Sequence, residues 1–434
     1  MIKCFIYIAL SFTSVLTQAQ DTLSLNQALN IALKNSLDVQ IATNNLEANT
    51  ILNNYGVAGG LPVVTGALND NEQISSINQK LNTGQSISRD AAAVNNFNSN
   101  VSGSILLFNG MRVISTKKRL AQLQRQSESL LNSQVQNIMG AVMTAYYDIV
   151  RQQSYLNTIK ISIEASNQQL TIVKARQEVG LANNADLFQA QIDLNALQQA
   201  LLSQQLVIDQ AKTELLRLLT LRADSLVQIR DTILVDNGLN LDLLLNNLNK
   251  NADIIAAQDQ VRINELIVKE TAAQRYPSVR GTMGYNFSRV NAAAGQLLLN
   301  QSYGPQAGIN IGIPIYNGSI FRRQQRVAEI NVRNADLDRR VLVRDYQAQL
   351  VTSFQAYAIT LKQLETEKEN YSLSQQLLDL ALKRFQFRQA TIVDVKNAQQ
   401  SFEESGYRLV NLSYAAKSSE IELKRLANQL TLTP

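Results

Sequence analysis

Residues 176–191 read RQEVGLANNADLFQAQ and residues 384–399 read RFQFRQATIVDVKNAQ, so that Arg176, Ala182, Asp186, Ala190 and Gln191 return as Arg384, Ala390, Asp394, Ala398 and Gln399. Each stretch breaks a run of helix formers and restarts it. Gly180 and Asn183-Asn184 make the break in the first, and Arg388-Gln389-Ala390-Thr391 make it in the second. Asn183 and Thr391 are good N-cap residues. Asp186 and Asp394 stand three positions further on, where a carboxylate meets free amides and the positive end of the helix dipole.

The same spacing of 208 relates Asn109-Gly110 to Asn317-Gly318 and Arg217 to Arg425. Upstream of the Asn-Gly pairs the spacing is 215, as from Asp38 to Asp253 and from Pro62 to Pro277, so the first copy carries seven additional residues between Pro62 and Asn109. The chain reads as a duplication, with residues 20–220 as one repeat, 241–434 as the other and 221–240 as the linker between them, a segment expected to lie across the helices. Each copy predicts a helix, two strands, a very long helix, the quoted turn and a last helix. The expected helices are 23–55, 111–179 and 186–219, then 241–275, 319–387 and 392–430. The expected strands are 62–69 and 97–108, then 278–289 and 303–316.

The last helices carry apolar and small residues at alternating spacings of three and four: Leu187, Ala190, Leu194, Leu197 and Leu201 in one copy, Val395, Ala398, Phe402, Ser405 and Leu409 in the other. That is a coiled-coil seam. Met111–Val179 contains no proline and as one helix is roughly 100 Å long, about twice the length of the helix that follows. An ordinary globular core has little use for a helix of that length, whereas the wall of a tube does.

Composition narrows the function. The 434 residues include no histidine and no tryptophan, and charged residues make up 17%. Without histidine the commonest general base and the commonest metal ligand are missing, and no nucleophile–base or metal constellation is seen, so no enzyme, catalytic residue, metal or cofactor is expected. The net charge of +5 is small for the length and its basic residues do not cluster, which argues against nucleic acid. Residues 1–19 have the basic, apolar and small-residue regions of a cleaved export signal, and the sole cysteine, Cys4, lies inside it. No later segment reads as a transmembrane helix.

The strands alternate with period two. Val279, Gly281, Met283, Tyr285 and Phe287 share one face, as do Tyr303, Ala307, Ile309 and Ile311 in the next strand. In the first copy Val63, Thr65 and Ala67, then Phe97, Val101, Ile105 and Leu107, are the expected apolar positions, and 69–96 and 290–301 are expected polar loops. One apolar and one polar face suits either a sheet on a soluble core or a membrane barrel with lipid outside and water inside. In the second case physics adds a constraint. Hydrocarbon cannot hydrogen-bond an open strand edge, and four strands are too few to enclose water, so several copies must share one closed wall. Eight strands follow from two copies and twelve from three. Symmetry copies of Asp186 and Asp394 would then form a ring of like charge at the mouth, which would attract cations.

With these features in order, LSLNQALNIALKNSLDV near the start, LPVV and YPSV entering the strands, LLFNGMR and IPIYNGS leaving them, and VGLANNAD and TIVDV at the two turns, the chain resembles the TolC-like outer-membrane efflux family. The resemblance implies a mainly helical, duplicated fold: long antiparallel coiled-coil helices forming a periplasmic α-barrel, continued by a twelve-stranded β-barrel shared in a homotrimer. It implies a passive exit duct for small molecules or proteins, set in outer-membrane lipid and working with a periplasmic adaptor protein and an inner-membrane pump. It places Asp394, Asp186, Phe385, Asn397, Arg384 and Arg388 at the entrance constriction, and Val179, Gly180 and Leu181 at the tip that an adaptor grips. Asn109, Gly110, Asn317 and Gly318 mark the strand–helix junctions. The family more often has tyrosine where Phe385 stands, arginine where Ala390 stands and aspartate where Asn397 stands, which makes Arg384 and Arg388 candidates for a rebuilt latch. A periplasmic coiled-coil adaptor or a structural protein without a barrel is the rival reading. Either lacks lipid-facing strands.

Overall fold

A computed structural model describes residues 22–431; the expected export signal lies outside the described residues. The elements are α1 (Leu25–Asn35), α2 (Leu37–Leu52), β1 (Val63–Lys80), β2 (Ser86–Phe108), α3 (Arg112–Glu178), α4 (Asn184–Leu218), α5 (Leu241–Asn247), α6 (Ala252–Ala273), β3 (Ser278–Ala292), β4 (Leu299–Gly312), α7 (Ile320–Gln386) and α8 (Ile392–Leu426). Helices α3 and α7 each have 67 residues, and α4 and α8 each have 35. Among the described residues no helix is apolar enough to cross a membrane.

The first helix expected in each copy is divided. The segment 23–55 stops and restarts at Ser36, whose ψ of 123° leaves the helical region while its hydroxyl accepts from the amide of Val39. The segment 241–275 breaks at Asn251, whose side chain accepts from the amides of Asp253 and Ile254 and so caps α6. These caps satisfy amides that no helical carbonyl reaches, and a serine or asparagine serves as well inside a long helical pattern as at its start.

The chain divides into two compact units. One, built from residues 41–133 and 249–345, holds the sheet, with strand order β1-β2-β3-β4 and every neighbour antiparallel. The first hairpin is much longer than its apolar residues suggest. Residues 69–96, expected as a loop, are almost all strand, and the chain turns only at 81–85, where Gly84 takes a φ of 87°. The ladder is made by backbone groups, so Asn69↔Asn98 and Asn71↔Asn96 pair as well as apolar residues do. Likewise β3 runs on to Ala292 and β4 begins at Leu299, while β4 ends at Gly312, ahead of Pro314, which has no amide to donate.

The register also reverses one face assignment. Val64, Gly66 and Leu68 stand opposite Gly103, Val101 and Ser99, which in turn oppose Met283, Tyr285 and Phe287. Directly paired residues share a face, so Val64 and Leu68, and not Val63, Thr65 and Ala67, belong to the apolar side. Thr65 instead meets Ser102 on the polar side, hydroxyl to hydroxyl at 3.2 Å. In β3 and β4 the register sets Val279 against Ile311, Gly281 against Ile309, Met283 against Ala307 and Phe287 against Tyr303. One face is thereby apolar across all four strands, and Val64, Met283 and Ile309 are each about 70% exposed.

In the same unit the strands hand over to helices at the Asn-Gly junctions. Gly110 takes a φ of 68°, and a Cβ there would lie 2.7 Å from Cβ of Tyr276 and 2.8 Å from the carbonyl of Ala273, so only glycine fits. Asn109 accepts from the amide of Val113, in the first turn of α3. Gly318 has a φ of 65° but open space around it, so only its backbone angle calls for glycine, and the side-chain amide nitrogen of Asn317 is buried with no hydrogen-bond partner among the described residues. Polar contacts join the helices: Arg119 to Glu270 at 2.7 Å, Gln122 to Asp259 at 2.6 Å and Asn49 to Ser127 at 2.8 Å.

The other unit comprises residues 22–40, 134–248 and 346–431 and has two cores. One gathers α1, the middle of α3, the end of α4 and the linker around Leu29, Val142, Ile149, Leu215 and Ile229. The linker has no regular element beyond a bridge between Thr22 and Gln228, yet it is firmly tied down. The Tyr357 hydroxyl donates to the carbonyl of Asp236, and the Asp236 carboxylate meets Lys424 at 3.0 Å. Lys424 and the buried Lys417 both reach Glu420, at 2.8 Å and 3.0 Å, and the Asp236 amide donates to Glu420 as well. Burial alone would lower the Lys424 ammonium, but its bonds to Glu420 and Asp236 hold it above the usual lysine range. The second core lies where the ends of α3 and α7 meet the starts of α4 and α8, around Val173, Leu194, Leu382, Phe385, Val395 and Phe402.

Candidate functional site

That second core closes on the two duplicated turns, and there the residues singled out by sequence come together. Both turns have one backbone. In the first, the amide of Leu181 donates to the carbonyl of Arg176 and the amide of Gly180 to that of Gln177. In the second, Gln389 donates to Arg384 and Arg388 to Phe385. This is the Schellman ending of a helix, whose last residue must enter the left-handed region. Gly180 does so at a φ of 73°, and Arg388 does so at a φ of 62°. An L-residue with a side chain pays about 1–2 kcal/mol there that glycine does not. The second turn therefore needs no glycine to fold, but it is strained.

Both restarts are capped. Asn183 accepts from the amide of Asp186 at 2.8 Å. Thr391 and Asp394 form a reciprocal box: the Thr391 hydroxyl accepts from the Asp394 amide at 3.2 Å, and the Asp394 carboxylate accepts from the Thr391 amide at 2.7 Å and from its hydroxyl at 2.8 Å. The Thr391 amide first, then its hydroxyl, hold the exposed Asp394 carboxyl below the usual carboxylate range, with Arg384 adding a little.

The side chains around this shared backbone differ. Phe385 is 3% exposed and belongs to the core. The guanidinium of Arg176 stacks on its ring, 4.2 Å from the centroid, and donates to its carbonyl. Arg176 thus crosses from the end of α3 to the end of α7. Nothing in the sequence marks Arg176 as a site residue beyond its match with Arg384. Only the fold shows that the pair serve different ends, for Arg384 donates to Gln389 in its own turn. Burial first, then the approach of Arg388, push the Arg176 guanidinium below its ordinary value, while Asp186 works the other way. Lys396 bridges to Asp193 at 2.8 Å, joining α8 to α4. Val179, Gly180, Leu181 and Asn397 are exposed. No group of side chains among the described residues is arranged to hold a metal ion.

The outer membrane efflux protein family model matches residues 28–220 and 243–429. The chain belongs to the outer membrane efflux protein family. It is 23% identical over 322 residues to the outer membrane protein TolC of Vibrio cholerae, with 71% of each chain covered. It is 21% identical over 409 residues to the toxin and drug export protein A of Aggregatibacter actinomycetemcomitans, covering 91% of this chain and 85% of the relative. Its fold is that of the outer membrane protein VceC of Vibrio cholerae, with a TM-score of 0.74 at 18% identity, covering 93% of this chain and 96% of that one. The efflux protein is thus an outer-membrane protein.

Proposed function

We propose that three copies of this efflux protein close one twelve-stranded barrel in the outer membrane. The trimer is the passive exit duct of a tripartite efflux or type I secretion system, working with a periplasmic adaptor and an inner-membrane pump. The observation that carries this reading is the pair of free sheet edges. Among the described residues the outer sides of β1 and β4 pair with nothing, and in the hydrocarbon of an outer membrane such bare edges are untenable. The apolar band supports it. Val279 to Phe287, at about 3.3 Å per residue, spans roughly 26 Å along the strand, or about 20 Å once the strand is tilted, which is most of the roughly 25 Å height of such a band. The helices also leave apolar rows uncovered in the single chain. Phe188, Ile192 and Leu206 on α4, and Leu373, Leu377 and Leu380 on α7, are all exposed at helical spacing and suit packing between subunits.

The paired turns are then the periplasmic entrance, with Asp186, Asp394, Asn397, Arg384 and Arg388 around it and Phe385 backing it from the core. Val179, Gly180 and Leu181 are the adaptor contact: two exposed apolar side chains flank a glycine with nothing within 4 Å of where a Cβ would be. The test is the mass of the purified protein in detergent by light scattering. Three chains per particle and loss from solution without detergent are expected. A monomer soluble in plain buffer would sink the reading.

A further inference from the structure

We infer that the entrance of this duct favours anionic solutes, with Arg388 as the residue that sets the preference. The inference rests on the reading of the paired turns as the entrance. Within 383–394 three cations, Lys383, Arg384 and Arg388, stand against one carboxylate, Asp394. Within 174–186 Lys174 and Arg176 are matched by Glu178 and Asp186. The two turns together therefore carry two positive charges in excess per chain. The acids are also the more occupied groups. Asp394 accepts two hydrogen bonds from Thr391 at the start of α8, and Asp186 lies close enough to Arg176 to favour its charge.

Arg388 is the opposite case. Its side chain makes no hydrogen bond or ion pair among the described residues, it is exposed, and the nearby charge that it feels is the like charge of Arg176. Its backbone sits in the left-handed region, where the other copy of the same turn has glycine. Two unfavourable features, backbone strain and like-charge approach, thus meet in one exposed residue. Strain of this kind clusters where a position works for function, and an unpaired cation at a pore mouth works through its field. Symmetry copies bring that field toward one axis and raise the local concentration of anions.

The experiment is the reversal potential of the purified full chain in planar bilayers under a potassium chloride gradient. The wild type is expected to prefer chloride. Arg388→Gly, which also relieves the strained backbone, should lose that preference; Arg388→Lys should keep it; Arg388→Glu should reverse it. Raising the salt from about 0.1 M to about 1 M should erase it in the wild type, because the screening length falls from about 10 Å to about 3 Å. A conducting wild type that prefers potassium, or an Arg388→Gly channel with unchanged preference, overturns the inference and leaves the duct standing. Absence of any conductance overturns the duct and the inference with it.

Discussion

The first and second turns have the same length, the same Schellman ending and the same cap position, yet they are built from different chemistry. The first uses glycine where the backbone must be left-handed and a neutral asparagine as its cap, and it sends its arginine across to the other hairpin. The second keeps its arginine at home, caps with a charged box and places a second arginine where glycine would be easier. Duplication conserves what the backbone requires and leaves side chains free to diverge, because hydrogen bonds between main-chain groups do not depend on residue type.

The widest divergence lies further along the last helices, and it gives the largest expected effect. Glu420 and Lys212 occupy equivalent positions, 208 apart. Glu420 is 3% exposed and binds Lys417, Lys424 and the Asp236 amide, whereas Lys212 makes a single surface pair with Asp209 at 3.3 Å. Glu420→Ala strands a buried ammonium and should cost about 3–5 kcal/mol. Lys212→Ala should cost at most about 1 kcal/mol. Thermal unfolding followed by circular dichroism checks this, and similar shifts for the two variants would erase the contrast.

The arginines at the turns give a middle effect. Arg176→Ala removes a charged hydrogen bond and a stacked ring and should destabilise by about 1.5–3 kcal/mol. Arg384→Ala loses a bond within an exposed turn and should cost less than about 1 kcal/mol. If Arg384 proved the costlier loss in denaturant titrations, the crossing role of Arg176 would be refuted.

The caps give the smallest effect and differ in their response to pH. Asn183→Ala and Thr391→Ala should each cost about 1 kcal/mol near neutrality. The Asp394 carboxyl is depressed in the folded chain, so its contribution is fully present above the unfolded value of about 3.9 and is lost as pH falls through the lower folded value. Asn183 carries no charge to lose. Acidification toward pH 3 should therefore raise amide exchange more at the start of α8, where the carboxylate is part of the cap, than at the start of α4, whose first turn also carries Asp186, and equal changes at both would remove the distinction.

Much of this was legible in residue order. The 208-residue spacing, the three-and-four periodicity and the run without proline pointed to the long helices, and the need to close a sheet in oil follows from strand count and lipid alone. The long first hairpin was not legible, because its outer part is rich in asparagine, serine, glutamine and charged residues, which signal loop by composition while their backbones form ladder. The face of β1 was not legible either. A short, weakly alternating strand does not say which of two parities is inside, and only pairing with β2 decides between Val64 and Val63.

At the site the division is similar. Sequence by itself determined that two capped, acid-bearing turns recur at one spacing, since capping and helix breaking are local properties of a few residues. Tertiary structure alone decided that Phe385 is core, that Arg176 reaches it from another helix and that Arg388, among the described residues, has no side-chain hydrogen bond or ion pair. Those are contacts between segments some two hundred residues apart, and their geometry is set by how four helices pack rather than by any residue's own preference.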